Sequence, residues 1–202
     1  MTAASHRGLR RVMGCAAAAA LVAGLAVAQP VEPPPAVALP SRDVATYLGT
    51  WYQVALFPNR FQAQCVSDTV ARYTALPDGR LQVLNRCRNA KGEFESVTGL
   101  AQPDGATLAA GVLSPAQLEV SFLPVWLRWL PVGWGRYWVV TLADDGRYAV
   151  VSEPTREYLW VLSRQPRLAP ADDAAVRQWL RDHGYDLNRL QPHTQAAASA
   201  SP

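Results

Sequence analysis

The chain has 202 residues, half of them hydrophobic, with 19 basic and 16 acidic side chains and a formal net charge of +3. Arg7, Arg10 and Arg11 sit near the N-terminus with no acid around them, so the remainder is balanced at 16 of each sign. A balanced chain has no basic footprint, which excludes nucleic acid as a partner.

Residues 1–28 read as a secretory signal peptide. Arg7, Arg10 and Arg11 form the basic region, an apolar run extends from Val12 to Ala28, and Ala26-Val27-Ala28 is an A-x-A cleavage site. "VMGC" ending at Cys15 has the look of a lipobox. Most of the apolar run lies beyond it, however, and acylation there would leave an Ala-rich segment exposed. The expected location is therefore outside the cytoplasm, in the periplasm or against the outer membrane. Residues 29–43 contain "QPVEPPPAVALP", a composition that favours an extended tail. Two cysteines remain, Cys65 and Cys87. An even pair in an oxidising compartment is expected to form a disulfide, with two buried thiols as the alternative. The histidines after the leader, His183 and His193, are both C-terminal, so neither a metal site nor a cofactor is expected.

From Val44 onward the chain reads as serial strands separated by turns. "TWYQVALF" is followed by "VSDTVARYTAL", a "PDGR" turn, "LQVLNRCR", "NAKG" and "EFESVTGLAQ". "QLEVSFL" comes next, then "RYWVVTL" and "RYAVVSE" around "ADDG", and finally "EYLWVLSR". Eight such strands predict an all-β, up-and-down antiparallel barrel, since closure removes the sheet edges. A helix follows, opened by Pro170, Asp172 and Asp173 and ended by Gly184. Its stripe of Val176, Trp179 and Leu180 is expected to pack outside the barrel. The domain is placed at residues 44–191, with 192–202 as a disordered tail.

Counting by twos from Trp51 puts Gln53, Ala55 and Phe57 inside, and Trp51 can plug one end of the barrel behind Gly49. "GTWYQVALF" and "YLWVLSRQP" resemble the Gly-x-Trp and terminal Arg signatures of the lipocalins. "RYWVVTLADDGRYAVVSEPTREYLWVLSRQP" is similar to the bacterial, outer-membrane lipocalin-like members related to apolipoprotein D. The resemblance implies that Arg164 packs on Trp51 at the barrel floor. It also implies an apolar ligand, a fatty acid or lysophospholipid, in the cavity. These bacterial members often carry a lipobox Cys at the end of the signal, which this chain lacks.

Alternation assigns Phe57, Val120, Phe122, Trp138, Val140, Tyr158 and Trp160 to a ligand cavity, the alternative being a dry, filled core. Between two strands, "LPVWLRWLPVGWGRYW" places Trp126, Trp129 and Trp134 among Arg128 and Arg136. That composition suits a membrane interface, a lid over the barrel mouth or a homodimer contact. Catalysis is not expected, because no His falls in the barrel strands and Glu95, Glu119 and Asp144 stand singly.

Overall fold

The computed structural model describes residues 44–105 and 116–196; the leader, Cys15 and the Pro-rich tail lie outside them. A short helix α1 (Val44–Tyr47) leads into strands β1 (Gly49–Leu56), β2 (Cys65–Ala75), β3 (Leu81–Asn89) and β4 (Phe94–Pro103). Strands β5 (Gln117–Ser121), β6 (Gly135–Leu142), β7 (Tyr148–Ser152) and β8 (Leu159–Ser163) follow. Helix α2 (Pro170–Asp182) and a two-residue strand β9 (Gln191–Pro192) complete the described elements.

The turns are held by local polar chemistry. Asp78 accepts from the Arg80 amide and guanidinium, and Asn89 accepts from the amides of Lys91 and Glu93. Each of β2 to β7 pairs antiparallel with the next, and the short β9 pairs with β1. Gly49–Tyr52 of β1 pairs with Val70–Tyr73 of β2 while β1 also pairs with β8, so eight strands close a barrel. Odd-numbered strands from β1 to β7 run from the end marked by Gly49 and the β2–β3 turn, here the floor, to the opposite end, the mouth.

Two cores result. The inner one holds Trp51, Tyr73, Leu81, Val83, Leu118, Val139, Val151 and Leu162, all almost fully buried. The outer one lies between α2 and the barrel wall, where Val176 and Leu180, with Trp179 beside them, cover Ala55, Phe57, Val140, Val150, Leu159 and Val161. Fully burying each such aliphatic side chain is worth about 1.5–3 kcal/mol. Arg147 forks onto Asp172 at 2.8–3.0 Å and ties the first turn of α2 to the β6–β7 hairpin.

The outer core corrects three cavity assignments. In β1 the pairing with β8 shifts between Gln53 and Ala55. A bulge adds a residue and reverses the side-chain parity beyond it, so Ala55 and Phe57 face α2. Phe57 lies edge-on to Tyr185, with the Arg189 guanidinium 4.6 Å from its ring centre. In β6 the inward residues are Tyr137 and Val139, while Trp138 and Val140 belong to the outer core. Both faces of β6 are buried and apolar, which leaves alternation without a phase.

The chain does not leave the fold at Gln191. Above Tyr52, β1 and β2 no longer pair with each other, and residues 191–196 occupy the gap. His193 donates its amide to the Val54 carbonyl on one side, and Asp68 donates its amide to the Thr194 carbonyl on the other. The Gln195 side-chain amide bridges the carbonyls of Gln53 and Thr69. This strap forms part of the barrel wall, so at least residues 192–196 of the expected tail are structural.

Candidate functional site

The floor is built around the indole of Trp51, which donates to the Tyr47 carbonyl at 2.7 Å. The Arg164 guanidinium stands 3.7 Å from the centre of the indole and donates to the carbonyls of Leu48 and Thr50. A cation over an indole face contributes about 0.5–2 kcal/mol. Gly49 enters this contact with φ +88°, a left-handed conformation that favours glycine, and a Cβ there would stand 3.6 Å from Arg164. Beside Trp51, the hydroxyl of Tyr137 bonds those of Tyr47 (2.8 Å) and Tyr73 (2.5 Å). Burial pushes Tyr73 up to about 12 and holds Tyr47 and Tyr137 well above the ordinary phenol value. All three stay neutral, and each hydroxyl can both donate and accept.

Above this plug the interior opens. Directly opposed residues on neighbouring strands share a face, so Val83↔Gly99 and Asn85↔Val97 both point inward with Val83 of the inner core. Val83 is 3% exposed, whereas Val97, one inward pair nearer the mouth, is 47% exposed. The barrel is filled below and accessible above.

The accessible half is lined by aromatic rings and amides. Trp160 stacks on Tyr137 toward the floor and on Tyr158 toward the mouth, with ring centres 6.4 and 6.2 Å apart. Tyr158 is held by the buried carboxylate of Glu153, which accepts from the amides of Thr155, Glu157 and Tyr158. Val120 packs against the inner core. Phe122 lies so close over Gly99 that a Cβ there would stand 2.7 Å from the ring. Only glycine admits that approach. Thus Val120, Phe122, Tyr158 and Trp160 come together along the interior, while Phe57, Trp138 and Val140 do not.

Sequence reasoning missed Tyr47, Tyr137 and Gln62. Tyr137 had the same ambiguous phase as Trp138. Gln62 lies in a 3-10 turn (Arg60–Gln62), where no periodicity exists to read. Yet Gln62 accepts from the Trp160 indole N–H at 2.6 Å and donates to Gln53 Oε1 at 2.8 Å.

Near the mouth, Cys65 and Cys87 form a disulfide between the start of β2 and the end of β3. The β5–β6 connection leaves from the same end and leans along the outer wall of β3 and β4 rather than over the opening. Trp129 and Trp134 there face Arg80, Gln82, Leu100 and Gln102 across an open groove of about 770 Å³. Trp134 donates to the Arg128 carbonyl, while Val125, Trp126, Trp129 and Val132 are 72–90% exposed. Glu95 and Glu119 accept from Asn89 and Gln102 respectively. Among the described residues no group of three His, Cys, Asp or Glu side chains is placed to hold a metal ion.

A family profile described as a lipocalin-like domain matches residues 42–195. Temperature-induced lipocalin-1 of Arabidopsis thaliana is 34% identical over 157 residues, covering 76% of this chain and 80% of the relative. The outer membrane lipoprotein Blc of Escherichia coli K12 is 30% identical over 176 residues, 87% of this chain and 92% of the relative. Among solved structures, apocrustacyanin C1 superposes with a TM-score of 0.61 at 15% identity, covering 83% of this chain and 93% of that one, a likeness of fold alone.

Proposed function

The chain belongs to the lipocalin family, whose members typically bind small hydrophobic ligands, and from that premise we propose that it carries a single-chain lipid, a fatty acid or lysophospholipid, in the mouth half of its barrel. The observation that supports this most is the contrast between Val83, sealed, and Val97, inward-facing but open. Burying about 12 methylenes at roughly 0.8 kcal/mol each gives about 10 kcal/mol gross. Association costs of several kcal/mol leave a micromolar affinity. Amides, phenols and an indole line the opening; these groups bind and orient, and we infer a carrier rather than an enzyme. The bacterial relatives named outer membrane lipoproteins support a place in the cell envelope, and we infer export to the periplasm.

A second element of the proposal is peripheral contact with a bilayer. Val125, Trp126, Trp129 and Val132 stand exposed with Arg128 among them, and no acidic residue occurs from Phe122 to Ala143. Indoles beside guanidinium groups suit the headgroup level of an anionic membrane. Calorimetry of the delipidated protein with palmitate or lysophosphatidylglycerol should show saturable micromolar binding, and silence with both would end the carrier reading. Flotation with anionic vesicles should be lost in Trp126→Ser/Trp129→Ser. Concentration-dependent dimerisation abolished by the same variant, without flotation, would assign the loop to a protomer contact instead.

A further inference from the structure

The accessible half of the barrel contains a donor that the protein leaves unused. Gln53 is 3% exposed, and its Nε2 is buried with no hydrogen-bond partner. The orientation of that amide is dictated from a distance. The Trp160 indole nitrogen can only donate, so Gln62 must turn Oε1 toward it, where Asn59 Nδ2 also donates. Gln62 therefore presents Nε2 to Gln53, which must answer with Oε1. The NH2 group of Gln53 is left over. Flipping either glutamine would set NH2 against a donor, so the chain of three side chains has one stable polarity.

Gln53 points inward: its partner across β8 is Leu162 of the inner core, and it stands one inward step above Trp51. A second unsatisfied atom occupies an inward position of β3. Asn85 lies between the inward residues Val83 and Cys87, opposite Ala71, and its Oδ1 is buried without a partner. From Trp51 up to the rim residue Glu95, the inward positions of β1, β3 and β4 carry no ionised group. A bare alkyl end would bury both amides unpaired, which is costly, and a carboxylate would lose its water to neutral amides alone.

Resting on the lipid-carrier reading, we propose that Gln53 and Asn85 form a subsite for an uncharged hydrogen-bonding group, a hydroxyl or oxo group, on the buried part of the ligand. The preferred ligand is then a hydroxylated or oxo acyl chain whose charged head stays at the mouth. A hydroxyl uses both kinds of amide atom, since it accepts from Gln53 Nε2 and donates to Asn85 Oδ1 in turn or through one shared water.

The test uses delipidated full-length protein titrated with palmitate, ω-hydroxypalmitate and a mid-chain hydroxystearate. At least one hydroxylated acid should bind about tenfold more tightly than the unsubstituted acid, equivalent to about 1.4 kcal/mol. Gln53→Met and Asn85→Leu should each bring that ratio toward one. Equal affinities in the wild type, or a ratio unchanged in the variants, overturn the subsite while leaving lipid carriage standing. No binding of any of the acids overturns both. If Gln53→Met fails to fold, Asn85→Leu and the wild-type ratio decide.

Discussion

The floor and mouth halves of this barrel use the same strands and the same alternation, yet they are finished in opposite ways. At the floor, Trp51, Tyr47, Tyr73 and Leu162 are buried, Arg164 covers the indole, and every hydroxyl of the tyrosine cluster is bonded. At the mouth, Val97 faces inward but is open, Gln53 and Asn85 leave buried atoms unpaired, and the wall is completed by a disulfide and a C-terminal strap. The difference teaches where stability and binding reside. A satisfied, close-packed end resists substitution, and an unsatisfied, under-filled end is free to take a ligand.

The contrast is sharpest at Trp51. Trp51→Ala should cost about 3–5 kcal/mol, as a large-to-small change in a packed core, read as a lower denaturation midpoint; Arg164→Ala should cost less. Wild-type midpoints in both variants would break the assignment of stability to the floor. Opening the disulfide by Cys65→Ser/Cys87→Ser should cost roughly 3 kcal/mol, because the closed loop spans 22 residues in the unfolded chain. Thiol titration of the unreduced, exported protein should find neither cysteine free.

A smaller effect on stability is expected where the barrel is open. Val97→Trp should change stability by no more than about 0.5 kcal/mol, as at an accessible position, while weakening palmitate binding at least tenfold. A large stability loss with undiminished binding would mean that Val97 is not part of the opening.

The smallest effect concerns the strap. Burial holds His193 below its ordinary value, against a weaker opposite pull from Asp68. Burial raises Asp68, but the hydrogen bonds from Arg88 and the Ala196 amide outweigh it and leave the carboxyl below its usual range. Both groups have depressed folded values, so the contribution of each is complete above its unfolded value and is lost on acidification. The His193 contribution fades first, below an unfolded pKa of about 6.5; that of Asp68 fades below the ordinary carboxylate range. Hydrogen exchange at the His193 and Asp68 amides, corrected for intrinsic rates, should be faster at pH 5 than at pH 7. Equal protection would detach the strap from these titrations.

Local chemistry was enough for much of this molecule. Asp78-Gly79, Asn89 and the Asp-Asp-Gly before Arg147 announce their turns because a side-chain acceptor or a left-handed residue is needed there. Pro170, Asp172 and Gly184 bound a helix for reasons contained in a few residues. Alternation also assigned Trp51, Gln53, Val120 and Trp160 to inward faces. What it could not decide was parity wherever both faces are buried. Phe57, Trp138 and Val140 point toward α2, because a bulge shifts β1 and because a helix far along the chain covers β6 from outside. The strap at residues 191–196 depends on a gap between β1 and β2 that exists only once the barrel has closed. Gln62 meets Trp160 and Gln53 only through that closure, and so the unused amide of Gln53 is a property of the tertiary structure. Periodicity reports which residues share a strand face; only the packing of distant elements decides what that face meets.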